Sequence, residues 1–329
     1  MMGIMAKQRF LIVGAGPIGT ALAGRLARTG DEVLLASRSG VGPDLPGVRR
    51  LALDASDSTA VTRSADGVDA LFNCVNPGAY QTWERLWPPL ASSVLRAASA
   101  SGAVLVTLSN LYGYGPVSAP ITGQTPLGPG DHKGDLRARL WREALDAHQA
   151  GRVRVTEARA SDYIGPTATA AGGLLTRYAA ATLAGKTATV LADPDQPHTW
   201  TAVDDIAATL AVLATDERAW GRAWIVPSNP PVSVRQVLQE LGRRAGTGAP
   251  RLRLAPRWLL RAGATVVPLL REVTGVLYQF DRPFVADGSA TTDEFGVVPT
   301  DWARLLDVTA EAWAGRVRGS GVNGVNGDV

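Results

Sequence analysis

Gly14, Gly16 and Gly19 stand at G-x-G-x-x-G spacing directly after the apolar run Phe10-Leu11-Ile12-Val13. An amphipathic helix pattern follows, with Ile18, Ala21, Leu22 and Leu26 on one face. The chemistry this context permits is the binding of a phosphorylated dinucleotide. The first glycine allows a tight turn, the second lets backbone approach a pyrophosphate, and the third lets the helix pack close to the strand. Gly16, Pro17 and Ile18 then form the edge at which free N–H groups of the helix start face the phosphates. Further on, where a carboxylate would take a ribose 2′-hydroxyl, the sequence reads Ser37-Arg38-Ser39. A guanidinium between two hydroxyls suits a 2′-phosphate through charge-assisted hydrogen bonds, so NADP(H) is expected in preference to NAD(H). Asp54, where a third strand ends, is either an acceptor for an adenine amino group or a turn cap.

A second set of residues could carry proton chemistry. Tyr112 and Tyr114 follow a fifth apolar segment, Tyr163 follows a sixth, and His132 and Lys133 precede a long helix pattern. In a parallel α/β sheet ligands lie at the carboxyl ends of the strands, which is where these residues fall. Histidine titrates near neutral pH. Ser109 and Asn110 end the fifth apolar segment at the same edge. His148 continues the apolar face of its helix and reads as a packed or capping residue. The single cysteine, Cys74, excludes an internal disulfide, fits a reducing cytoplasm and reads as a buried, inert thiol. Three histidines and no Cys/His cluster leave no metal site to expect.

The elements that must position these groups alternate. Strands are predicted at Glu32–Ala36, Arg49–Leu53, Val68–Val75, Ala103–Leu108 and Val153–Ala158, with helical patterns between most of them. That order specifies an α/β fold, a doubly wound parallel Rossmann sheet, with a smaller and mainly helical C-terminal substrate-binding region. The Rossmann domain is expected over residues 6–165, with 199–226 returning to it. The substrate-binding region is expected over 166–198 and 227–315, and a disordered tail over 316–329. Thr201-x-x-Asp204 and Ser233-x-x-Gln236 read as capping boxes opening helices Val203–Ala214 and Val234–Arg244. A strand is expected at Thr187–Leu191, another of the main sheet at Arg222–Val226, and a last helix at Asp301–Val317. The net charge of +3 is scattered along 329 residues, which argues against a nucleic-acid partner. No apolar run approaches the roughly 20 residues that span a bilayer, and the start lacks a signal-peptide layout. A small-molecule substrate, no membrane and a cytoplasmic location are the expectations.

Together, these motifs in this order resemble the short-chain dehydrogenase/reductase superfamily. The nearest branch is the extended or atypical one, the NAD(P)-dependent epimerase/dehydratase-like proteins. The resemblance rests on Gly14-x-Gly16-x-x-Gly19, Asp54, Asn73-Cys74-Val75-Asn76-Pro77, Ser109 to Pro116, Asp162-Tyr163-Ile164-Gly165-Pro166 and His198 to Ala207, and it runs to about residue 315. It implies an oxidoreductase acting on a carbonyl or alcohol of a small organic molecule, a cofactor contact at Asn76, and substrate contacts at Tyr114, Tyr163, His198 and Trp200. It also implies a homodimer, since many relatives pair through helices flanking the sheet. In that family a Y-x-x-x-K pair supplies the proton and holds the nicotinamide ribose, and a Ser or Thr after the fifth strand orients the carbonyl. The resemblance gives that last position here to Ser109 or Asn110, where an Asn could still donate to a developing oxyanion. Lys133 takes the lysine's place here, but Pro129 stands where the tyrosine would be. The proton then falls to Tyr112, Tyr114, His132 or Tyr163. The missing tyrosine also keeps open a non-redox isomerase, dehydratase or cyclase holding a structural nucleotide, and a nucleotide-sensing binding protein.

Overall fold

The computed structural model describes residues 7–169 and 173–322. In chain order the first half runs β1 (Arg9–Val13), α1 (Pro17–Arg28), β2 (Glu32–Ser37), β3 (Val48–Ala52), α2 (Ser58–Ser64), β4 (Ala70–Asn73), α3 (Trp83–Ser101), β5 (Val104–Ser109), α4 (His132–Gln149) and β6 (Arg154–Arg159). The second half runs β7 (Asp162–Ile164), α5 (Leu174–Leu183), β8 (Thr187–Val190), β9 (Trp200–Ala202), α6 (Val203–Thr215), β10 (Ala223–Ile225), α7 (Val234–Ala245), β11 (Arg251–Leu254), α8 (Arg257–Val266), α9 (Pro268–Val276), α10 (Ser289–Phe295) and α11 (Trp302–Val322).

Seven strands form one sheet in the order β10-β6-β5-β4-β1-β2-β3. Every pairing in it is parallel, so each crossover must pass over a face and both faces are covered. Alternate residues of β1 therefore enter two cores. Phe10 and Ile12 pack with Ile18, Leu22 and Leu26 of α1 and with Ile206 and Leu210 of α6. Leu11 and Val13 pack with Trp83, Trp87, Leu90 and Val94 of α3. The chain moves outward through β2 and β3, then returns to the other side of β1 as β4. This reversal opens a crevice at the carboxyl ends of β1 and β4, the place where such sheets bind ligands.

The expected α/β class and parallel sheet are present, and β10 joins its edge as anticipated. β8 pairs instead with β11 in a separate ribbon, and β7 pairs with β9 in another. The first core continues into the later helices through Trp200, Leu238 and Trp313, so the C-terminal segments share buried surface with the sheet.

Two local expectations need correction. Ser233 and Gln236 do form a capping box. Thr201 does not cap α6, whose N-cap is Ala202; its hydroxyl accepts from Ser161 N at 3.2 Å and lies 3.0 Å from Ser228 Oγ. The tail expected from residue 316 is helical as far as Val322, where α11 ends; residues 323–329 lie outside the described residues. Among the described residues no helix is long and apolar enough to cross a membrane, and no cluster of His, Cys, Asp or Glu could hold a metal ion.

Candidate functional site

The glycine-rich turn leaves β1 with Gly14 at φ 115°, a conformation that disfavours L side chains. A Cβ there would sit 2.7 Å from the carbonyl of Cys74, so this glycine is required by the approach of β4 as well. A Cβ on Gly19 would lie 1.8 Å from Gly14 O, which is how closely α1 packs on the turn. Gly16 differs: nothing stands within 4 Å of where its Cβ would be. It is also the N-cap of α1 and has no capping side chain, with Pro17 in the first turn. Free N–H donors and open space meet here, the features a pyrophosphate requires. Ile18 is core, 6% exposed, and can offer only its backbone.

At the end of β2 the three expected residues separate. Arg38 is exposed, and its charge reaches Asp54. Ser37 Oγ donates to Val41 O at 2.9 Å, so its proton is committed to the turn. Ser39 Oγ accepts from Val41 N at 3.3 Å and keeps its proton to offer. Asp54 is a turn cap: Oδ1 accepts from Ser56 N at 2.9 Å and Ser56 Oγ at 2.7 Å, and these bonds hold its carboxyl below the usual carboxylate range.

A cavity of about 310 Å³ opens where β4, β5 and β6 end. Asn76 reaches it from beyond β4, Asn110 and Tyr112 from beyond β5, and Asp162 and Tyr163 from beyond β6. Tyr80, Arg177, Val273 and Phe280 add to its wall. The Ser109/Asn110 ambiguity is thereby resolved in position. Ser109 is 4% exposed and its hydroxyl takes Arg137 Nη2 at 2.7 Å. Asn110 lines the cavity, and its Oδ1 accepts from Tyr112 N at 3.2 Å, which orients the amide.

Tyr112 lines the cavity, with its hydroxyl 2.8 Å from that of Tyr80 and its ring stacked on Trp83. Burial pushes its phenol well above the usual range, and the phenols of Tyr80 and Tyr163 rise for the same reason. Cys74 is partly rather than fully buried, and desolvation pushes its thiol up to about 12.

Several expected site residues lie elsewhere. Lys133 Nζ sits 2.7 Å from Asp131 Oδ2 and 2.9 Å from Glu272 Oε2, with its side chain 1% exposed. It is thus occupied by two carboxylates and does not line the cavity. His132 is half exposed, 3.2 Å from Glu272 Oε2, and is also off the cavity wall. Tyr114 is buried, and its hydroxyl accepts from Arg159 Nη1 at 2.6 Å. Trp200 is a core residue donating its indole N–H to Val232 O at 2.9 Å. His198 is fully enclosed behind residues that line the cavity, among them Asp162, whose Oδ2 lies 3.0 Å from Nε2.

Several residues of this region were not singled out from the sequence as site residues, Asp162 and Arg177 of the cavity wall among them. Tyr80 pairs with Tyr112 from a one-turn helix before α3. Glu272 arrives from α9. Arg137 lies one turn after Lys133, 7% exposed, and donates to Leu108 O at 3.0 Å and to Ser109. A charged residue on the buried face of α4 was the one available signal.

Known structures share this fold over nearly the whole chain. It resembles the dTDP-glucose 4,6-dehydratase DesIV of Streptomyces venezuelae, solved with NAD, at 20% identity, 95% and 98% coverage of the two chains and a TM-score of 0.76. It resembles UDP-glucose 4-epimerase of Thermotoga maritima at 14% identity, 94% and 100% coverage and a TM-score of 0.77. It resembles the Thermus thermophilus UDP-glucose 4-epimerase, solved with NAD, at 19% identity, 94% and 99% coverage and a TM-score of 0.73. At these identities the likeness establishes the fold. No curated protein matches the sequence. The profile of one enzyme family matches residues 10–226, from β1 through β10, as the motif resemblance implied. The chain belongs to the NAD dependent epimerase/dehydratase family.

Proposed function

We propose that this protein is an NADP-dependent oxidoreductase acting on the carbonyl or alcohol of a small, largely apolar or aromatic molecule. The observation that carries the reading is the shared edge of the sheet: the open cradle at Gly16 and the cavity beyond β4, β5 and β6 both lie at the strands' carboxyl ends. A dinucleotide seated in the cradle supplies hydride transfer at its nicotinamide end.

The chain's own groups take these roles. The free N–H groups of α1 hold the pyrophosphate, with Gly14 and Gly19 shaping the turn. Arg38 and Ser39 hold the 2′-phosphate. Asn76 meets the cofactor where it enters the cavity. Asn110 and the protonated phenol of Tyr112 donate to the substrate oxygen. Lys133 is given the task of fixing α9 through Glu272, because both its carboxylate partners are in place. The cavity's walls carry Tyr80, Trp83, Tyr163 and Phe280 but one guanidinium, Arg177, among the described residues. That favours an apolar or aromatic substrate over one bearing a diphosphate.

The enclosed Lys133 and the missing tyrosine favour a second reading, in which hydride returns to the substrate and no net oxidation occurs. NADPH and NADH consumption over a panel of aromatic and aliphatic carbonyls tests the first. Product without a change in nicotinamide absorbance would favour the second. Calorimetry registering no heat for any nicotinamide dinucleotide would remove both.

A further inference from the structure

His198 and Asp162 form a pair at the cavity wall whose geometry determines its proton content. His198 Nδ1 lies 3.0 Å from the carbonyl oxygen of Gln279, a pure acceptor. Nε2 lies 3.0 Å from Asp162 Oδ2 and 3.5 Å from Ser161 Oγ. With Nδ1–H donating to Gln279 O, the Nε2–Oδ2 contact needs one proton between its two atoms, because a lone pair on Nε2 would otherwise face an ionised carboxylate. One proton on that contact satisfies every partner, whether Nε2 carries it beside an ionised Asp162 or Oδ2 carries it beside a neutral ring. The ring cannot swing away: it is 1% exposed, stacked on Phe280 at 4.5 Å and 9°, and flanked by Trp200. Asp162 keeps 21% of its side chain open and lines the cavity, its Oδ1 on the Gly173 side.

The groups around this pair cannot supply a proton near neutral pH as readily. Tyr80, Tyr112 and Tyr163 face the same cavity, but burial keeps their phenols protonated. Arg177 of α5 is the cation on the wall, and Asp131 is engaged with Lys133.

We propose that Asp162 is the acid–base group of the cavity and that His198 is the positioning residue that stores its proton. The inference rests on the oxidoreductase reading. In carbonyl reduction the shared proton passes through the Asp162 carboxyl to the substrate oxygen. An O–H bond forms on the substrate and the bond holding the proton to the pair breaks. The electron pair reaches the carbon as hydride from a reduced nicotinamide dinucleotide, and solvent returns the proton to the pair. Alcohol oxidation runs the same step backwards.

The first test needs no substrate. The chain has three histidines, so nitrogen-15 NMR of the imidazoles can follow each one. The expected wild-type signature is a proton on Nδ1 and a second one shared between Nε2 and Asp162, the second being lost in Asp162→Asn. A neutral His198 beside an ionised Asp162, the carboxyl read by carbon-13 NMR, would overturn the proposal. The second test compares Asp162→Asn and His198→Gln in turnover and in NADPH binding read by tryptophan fluorescence. Asp162→Asn is expected to lower kcat by about 10²–10⁴-fold, the usual worth of a general acid, with NADPH affinity retained. His198→Gln is expected to change the pH profile of kcat with little effect on KM. Full turnover and an unaltered pH profile in Asp162→Asn, with NADPH still bound, would sink the pair and spare the oxidoreductase reading. Absence of NADPH binding by the wild type would sink that reading and, with it, the catalytic role of Asp162.

Discussion

Lys133 Nζ and Glu272 Oε2 meet at 2.9 Å although 139 residues separate them in the chain. The contact ties α9 to the start of α4, beside Asp131, and closes one side of the crevice. Glu272→Ala leaves the enclosed ammonium with Asp131 alone. Breaking a buried pair costs about 3–5 kcal/mol, and the 12% exposure of Glu272 places the expected loss near the lower end. Urea denaturation reads the stability, and hydrogen exchange should show faster opening of α9. Unchanged stability and exchange would mean that the bridge does not hold the helix.

Gly16 and Gly19 should respond oppositely to the same added methyl. Gly19→Ala places a Cβ against Gly14 O and should cost several kcal/mol or prevent folding, since backbone there cannot move aside. Gly16→Ala meets empty space, so stability should change by less than about 1 kcal/mol while dinucleotide affinity falls. Thermal melting with and without NADPH separates the two effects. Undiminished NADPH protection of the Gly16→Ala protein would show that the cradle is not the pyrophosphate site.

Arg38 should decide between the two dinucleotides. Losing charge-assisted bonds worth about 1.5–3 kcal/mol, Arg38→Ala should bind NADPH about 10- to 150-fold more weakly and NADH nearly as before. Fluorescence titrations with both would measure it. Equal losses for both dinucleotides would place Arg38 outside the 2′-phosphate site.

The tyrosines predict an alkaline limit to stability. All six phenols are pushed up, burial being the leading cause at each. Above the ordinary phenol value of about 10 the unfolded chain releases these protons while the native chain retains them, so the native state binds more protons and stability falls as pH rises. Below that value their contribution is fully present. Ultraviolet titration should find little phenolate in the native protein near pH 10, then a rise that coincides with loss of near-ultraviolet circular dichroism. A smooth titration in the folded state would contradict the burial.

Much of this architecture was legible in the residues because periodicity and turn chemistry are local. The apolar runs marked all six first-half strands to within a few residues, and the parallel order followed from their alternation with helices. Gly14 and Gly19 meet the close approaches that their spacing implies, and Gly16 faces open space. Ser233 and Gln236 formed their cap because both partners lie within one turn. Thr201 shows the limit of the same rule: its pattern was correct, but long-range contacts to Ser161 and Ser228 took its hydroxyl first.

The candidate site divided along the same line. The sequence by itself determined the sheet, the glycine turn and the set of polar residues at the strand ends. Only the tertiary structure decided which of them face open space, because a side chain's direction and partners depend on segments distant in the chain. Glu272 enclosed Lys133 from 139 residues away, Arg137 claimed Ser109 and left Asn110 to the cavity, and Gln279 and Asp162 closed around His198. Local pattern names the groups able to do chemistry; long-range packing sets their solvation and partners, and these determine which of them remain free to react.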